Sequence, residues 1–202
     1  MDFVALDVET TGTLSYTDRI VELAAVRFAN GKVEDRFSTL INPGIAMPEE
    51  ASRVNGITDE MLKDQPDMGD VVKNFSDFCA EYMLVAHNAI FDFQFLCAAL
   101  EKCYCTGPRG PLFDTYLLSK KIFPGLSNYK LSTIVEYLKI PASHFHRAEQ
   151  DAWSCGQVFN VILNRIKPIE NGYFDFNKLN QITGKKELRF PALKAHQLSL
   201  FE

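Results

Sequence analysis

No stretch of the sequence approaches the roughly 18 uninterrupted apolar residues of a membrane span, so no membrane partner is expected. A basic excess is also missing: 21 Lys plus Arg stand against 26 Asp plus Glu in 202 residues, a formal net charge of −5. That balance argues against wrapping a polyanion by bulk charge, although a local site can differ from the average. The five cysteines (Cys79, Cys97, Cys103, Cys105 and Cys155) form no CxxC pair, and Cys103 and Cys105 alone are too sparse for zinc. Reduced, mostly buried thiols in a cytoplasmic protein are expected. The first residues, Met1 to Asp7, have no basic flank and carry acids within the first apolar run, unlike a secretory signal. Internal repeats and low-complexity tracts are absent as well.

What is present is a globular composition, 47% hydrophobic and 23% charged, with length for one domain and a short appendage. Phe3 to Val8, Arg19 to Phe28 and Glu34 to Ile41 read as strands, the last two joined by an Asn30-Gly31 turn. Pro48 to Asp64 reads as a loop with short helical pieces. Helices are expected over Asp67 to Glu81, Phe91 to Lys102, Thr115 to Ile122, Leu131 to Leu138 and Glu149 to Ile166. Met83 to Ala86 reads as a brief buried strand. The order implies a mixed α/β layer fold over residues 1–168, followed by a flexible extension over 169–202.

Asp7 and Glu9 stand at the end of the first strand, and residues i and i+2 of a strand share a face. Two acids held side by side repel unless a cation lies between them, and Mg²⁺ favours such oxygen ligands. The other reading is a pair of surface acids at a strand end. Asp92 and Asp151 each fall in the first turn of a helix, where the dipole alone favours an acid. His146 precedes Asp151 by five residues and reads, by itself, as a loop histidine.

Taken together, Asp-x-Glu-Thr-Thr-Gly at 7–12, His-Asn-Ala-Ile-Phe-Asp at 87–92 and His-x4-Asp at 146–151 form a specific pattern. Over residues 2 to 166 the chain resembles the DEDDh 3′–5′ exonucleases. The resemblance implies an RNase H-like fold with a mixed central sheet flanked by helices. It also implies that Asp7, Glu9, Asp92 and Asp151 bind two divalent ions, Mg²⁺ with Mn²⁺ as the other candidate, and that His146 is the general base. The chemistry suits that set. In-line attack of water on a phosphodiester builds charge that two cations about 3.5–4 Å apart stabilise, and an imidazole titrates in the range needed to take a proton.

The same resemblance implies that Thr10, Thr11 and Gly12 meet the terminal nucleotide and that Leu14 packs on its base. Asn55, Gly56 and Ile57 then belong to a loop that sets an apolar wedge against the terminal bases; the other reading of Ile57 is a buried anchor. His87 and Asn88 become contacts to sugar or phosphate and supports of the metal site. Phe91 and Phe95, at helical spacing, read as core. Arg147 reads as a phosphate contact or an exposed arginine.

Gln197-Leu198-Ser199-Leu200-Phe201 resembles the peptide with which bacterial polymerases and repair enzymes bind the sliding clamp. The resemblance assigns Gln197, Leu198, Leu200 and Phe201 to that contact; the alternative is a segment docked on its own domain. The expected activity is 3′–5′ hydrolysis of single-stranded or frayed DNA ends, in proofreading or repair, with the clamp and a DNA polymerase as candidate partners. Two rivals stand: an RNA-trimming member of the family, and a non-catalytic nucleic-acid-binding module. The intact chemical positions argue against the second. Without its four motif acids the chain is nearly neutral, so the acidic surplus is largely the expected metal site.

Overall fold

The computed structural model describes residues 1–141, 146–166 and 176–192. Five strands form one sheet in the order β3-β2-β1-β4-β5: β1 (Phe3–Thr10), β2 (Ile20–Ala29), β3 (Lys32–Leu40), β4 (Met83–Ala86) and β5 (Leu112–Asp114). The first three are antiparallel neighbours, while β4 and β5 run parallel to β1. The β2–β3 hairpin turns at Asn30 and Gly31, both at positive φ (51° and 77°), which those residue types tolerate.

Helices cover both faces of the sheet, which is why β1 and β4 read as nearly continuous apolar runs. On one face Phe3, Ala5, Ala24, Val26 and Phe28 pack against α7 (Ala148–Arg165) through Cys155, Val158, Phe159 and Ile162. On the other, Val4, Leu6 and Val8 pack against α3 (Met68–Cys79) and α4 (Ile90–Lys102). Gly156 lets α7 lie directly on the ring of Phe28, because a Cβ there would collide with it. Short helices α1 (Glu49–Asn55) and α2 (Asp59–Leu62) follow β3, and α5 (Thr115–Ile122) and α6 (Leu131–Leu138) follow β5. The outer strand β3 is mostly exposed and charged, a composition that discourages edge pairing. No helix among the described residues is long and apolar enough to cross a membrane.

The expected elements recur with ends shifted by a few residues, and two more are added. β5 is only three residues long, and α8 (Phe176–Thr183) lies in the segment expected to be a flexible extension. Where it is described, that segment is packed on the domain. Leu179 is fully buried in the α7-side core, Leu188 forms an antiparallel bridge to Leu112, and Phe190 stacks near Phe93 at 5.1 Å. The boundary at 168 therefore does not mark the edge of the packed unit. Of the cysteines, all free, only Cys79 and Cys155 are buried, so the thiols are less enclosed than expected.

Candidate active site

β1 pairs with β4 only through Phe3, Ala5 and the residue between them, and the two strands part beyond that point. The gap at the carboxyl end of a parallel pair is where α/β sheets commonly place ligands. Here the Val8 N–H, unused by β4, donates to Asp92 Oδ1 at 3.1 Å. That bond brings the first turn of α4 against the end of β1. Asp7 and Glu9 project from the α7 side, and the register places Glu22 of β2 opposite Glu9. Asp151, in the first turn of α7, completes the group.

The electrostatics of this cluster are unfavourable for a metal-free protein. Burial, then the charges of Asp92, Asp151, Glu9 and Glu22, push the Asp7 carboxyl well above its usual range. Burial likewise raises Asp92 far above normal, against the lowering effect of its backbone hydrogen bonds. Glu9 is pushed up to about 7 by burial and by Asp151 and Glu22. Asp151 is pushed up to about 6, mainly by burial, although the His146 N–H that it accepts opposes this. Perturbations of this size, from several acids at once, mark a site built for something else to neutralise it.

Two observations fit a divalent cation. Asp151 Oδ1 is buried with no hydrogen-bond partner, a costly condition for a carboxylate oxygen unless a ligand meets it. Ligand atoms of Glu9, His146 and Asp151 also lie within 4.8 Å of one another. Oxygen-rich donors of this kind match Mg²⁺ or Mn²⁺.

His146 is exposed and has φ 66°, an unusual backbone conformation for a non-glycine residue. Its N–H donates to Asp151 Oδ2 at 2.9 Å, so base candidate and acid are locked to one another. Arg147 is exposed, and its guanidinium is engaged by a carboxylate. Its Nε and a terminal nitrogen donate to Glu22 at 2.8–3.3 Å, and the Ala148 N–H donates to the same carboxylate at 3.1 Å. Glu22 was missed by sequence reasoning, though a signal exists: a lone acid inside the apolar strand Ile-Val-Glu-Leu-Ala-Ala-Val.

The expected substrate contacts divide. Thr10 and Thr11 are buried, and their hydroxyls serve the turn: Thr10 Oγ1 donates to Gly12 O, and Thr11 Oγ1 accepts the Arg19 N–H at 2.9 Å. Gly12 is required by the close approach of Asp18, which would collide with a Cβ. Leu14, 65% exposed, remains available to a base, and its neighbour Tyr16 is more exposed still. Asn55 is buried and ties α1 to the end of β1, donating to Thr10 O at 3.4 Å, while Gly56 caps α1 at φ 70°. Ile57 is a buried anchor, fully enclosed with Val21, Met47 and Leu62, and its N–H donates to Asn55 Oδ1. The exposed apolar residue of this region is Val54.

His87 is also not free for sugar or phosphate. Nε2 lies 2.8 Å from Tyr129 O, an acceptor only, and so carries a proton; Nδ1 lies 3.0 Å from Thr115 Oγ1, whose hydroxyl donates to Ala86 O at 3.1 Å. Burial lowers its pKa, against the raising effect of the Tyr129 carbonyl. His87 thus acts as a strut beneath α5 and α6. Asn88 is exposed at φ 65°, its N–H on Asp114 Oδ1. Phe95 is buried and Phe91 packs on it at 4.9 Å. Gln197, Leu198, Leu200 and Phe201 lie outside the described residues.

The sequence model of an exonuclease family, RNase_T, matches residues 4–159. The PolC-type DNA polymerase III of Caldanaerobacter subterraneus subsp. tengcongensis is 32% identical over 199 residues, covering 98% of this chain but 14% of that protein. The chain therefore spans a small part of the PolC-type relatives it matches. The DNA polymerase III epsilon subunit of Treponema pallidum is 40% identical over 163 residues, 80% of this chain and 76% of that one. Among solved structures, exonuclease X in complex with 5′ overhanging duplex DNA superposes with a TM-score of 0.68 at 26% identity, covering 90% of this chain and 99% of that chain. The sheet and flanking helices are those of the RNase H-like exonuclease fold.

Proposed function

Because the chain belongs to this exonuclease family, we propose that it is a 3′–5′ exonuclease that releases mononucleotides from single-stranded or frayed DNA 3′ ends in proofreading or repair. The observation that carries the reading is the convergence of Glu9, Asp151 and His146, with Asp151 Oδ1 buried and unpartnered. Asp7, Glu9, Asp92 and Asp151 would hold two Mg²⁺ or Mn²⁺ ions. Such ions supply charge neutralisation at the scissile phosphate and a more acidic attacking water.

The chain's own residues do the rest. A ring nitrogen of the exposed His146 takes the proton of the attacking water. Its main chain is fixed by Asp151 Oδ2 on one side and, through Arg147, by Glu22 on the other. Asp92 is held on the Val8 N–H, which sets the spacing between the ends of β1 and α4. Leu14, and with it the turn tied by Thr10, Thr11 and Gly12, presents an apolar surface to the terminal base.

The DNA context is supported by relatives that are DNA polymerase III proteins and by a fold neighbour solved with DNA. Cytoplasmic location and recruitment by a sliding clamp through Gln197 to Phe201 belong to the same reading, the latter on the peptide's resemblance alone. A 5′-labelled single-stranded oligonucleotide tests the activity. Stepwise shortening from the 3′ end with Mg²⁺ and none with EDTA is expected, with DNA degraded faster than RNA of the same sequence. Equal or faster degradation of RNA would transfer the reading to RNA trimming.

A further inference from the structure

The segment that contains α8 builds a second feature beside the active site. Between Asn88 and Ile90 at the start of α4, Tyr116 of α5, and Lys185 and Lys186 after α8 lies a cleft of about 350 Å³. Asn88 lies just before α4, four residues ahead of Asp92, and its N–H is held by Asp114 at the end of β5. The cleft therefore follows the carboxyl ends of β4 and β5, on the edge of the sheet where β1 carries Asp7 and Glu9. Two strand spacings, about 10 Å, separate the ends of β1 and β5, within reach of the nucleotides next to a bound terminal one.

The cleft is lined by two lysines, Lys185 and Lys186, and two acids, Asp114 and Glu187, and the segment that supplies the lysines is basic. Residues 176–192 carry four basic side chains and one acid, in a protein of net charge −5. Lys185 and Lys186 are exposed, and no ion pair among the described residues joins either to a carboxylate. The acids nearby are already engaged. Asp114 accepts the N–H groups of Asn88, Tyr116 and Leu117, and Glu187 accepts from Asn180 at 2.6 Å and from Arg189 at 3.2 Å. Ile90 is 45% exposed at the mouth, an apolar surface of the kind on which bases rest. The bridge between Leu112 and Leu188 and the buried Leu179 fix the lysines to the sheet instead of leaving them on a loose tail.

We propose that this cleft binds the phosphate backbone of the substrate strand upstream of its 3′-terminal nucleotide, with Lys185 and Lys186 as the phosphate contacts. The proposal rests on the exonuclease reading and extends it to how a longer strand is held. A narrow strip of two lysines is also compatible with an acidic protein, which has no broad basic face to offer.

The test compares wild type with Lys185→Ala/Lys186→Ala in the full chain, with thermal melting to establish that both are folded. Affinity for a single-stranded oligonucleotide is measured in Ca²⁺ across a salt series. Hydrolysis of the p-nitrophenyl ester of thymidine 5′-monophosphate, which has no upstream strand, is measured in Mn²⁺. The double variant is expected to bind the oligonucleotide about tenfold more weakly, with a salt slope shallower by about 1.4, from roughly 0.7 per lost contact to a single strand. Its ester hydrolysis is expected to match wild type, and Lys185→Arg/Lys186→Arg to retain affinity. Unchanged affinity and slope in a folded variant, with wild type hydrolysing the ester, would overturn the cleft alone. A wild-type protein that leaves both ester and oligonucleotide intact would overturn the exonuclease reading and the cleft with it.

Discussion

Arg147 and Glu22, 125 residues apart in sequence, meet through two guanidinium nitrogens at 2.8–3.3 Å, and this contact joins the His146 loop to the second strand. The Glu22 side chain is 4% exposed and that of Arg147 is 46% exposed, so the two partners are not equivalent. Removing the arginine strands a buried carboxylate beside Glu9 and Asp7. Removing the charge of glutamate relieves that crowding while loosening the loop. Arg147→Ala is therefore expected to cost about 1–3 kcal/mol of stability, and Glu22→Gln less. Both should lower kcat more than they raise KM, with Arg147→Lys recovering part of the loss. Thermal melts and steady-state kinetics on one oligonucleotide check both statements; a stability loss with unchanged kcat would make the pair purely structural.

The raised carboxyls set a pH dependence for the metal-free protein. Carboxyls in an unfolded chain ionise near pH 4, whereas Asp151 and Glu9 in the fold do so at about 6 and about 7. Between those values the native state holds more protons, so this cluster's contribution to stability falls as pH rises. Melting in EDTA is expected at lower temperature at pH 8 than at pH 5, with a smaller drop in Asp151→Asn. Mg²⁺ should raise the melting temperature at pH 8 and have little effect at pH 5, because the ligands must first lose protons. A metal-free protein whose cluster variants show no altered pH dependence would contradict this account.

Ile57 and Leu14 separate core from contact. Ile57→Ala is expected to destabilise by about 2–5 kcal/mol, as a fully buried side chain. Leu14→Ala, at an exposed position, should stay within about 0.5 kcal/mol of wild type yet raise KM for oligonucleotides. Chemical denaturation and kinetics on the two variants distinguish them.

Deletion of residues 197–201 tests the terminal peptide. Loss of binding to a bacterial sliding clamp, with unchanged turnover on short oligonucleotides, is the expected outcome. Retained binding would return the pentad to a structural role.

Much of the architecture was legible because its signals are local. The apolar strands β1, β2 and β4, the Asn30-Gly31 turn and the amphipathic stripe of α7 all announce themselves within a few residues. The motif acids were legible as spacing. β5 was not, since three residues carry no periodicity, and α8 was obscured by polar residues around the single buried anchor Leu179. What spacing leaves open at Ile57, His87 and Arg147 has one cause: each is decided by a partner far away in sequence. Val21 and Met47 enclose Ile57, the Tyr129 carbonyl accepts the His87 Nε2–H, and Glu22 holds Arg147. Spacing shows which residues belong to a site but not which of their atoms are already in use.

The central claim is that His146 and the acid cluster perform the hydrolysis together. The most direct measurement is the single-turnover rate of 3′-terminal nucleotide release by wild type and His146→Ala, with saturating Mg²⁺ at pH 8. The account expects release by wild type and a rate lower by about 10²–10⁴-fold in the variant, with the melting temperature unchanged. A variant rate near that of wild type would contradict it.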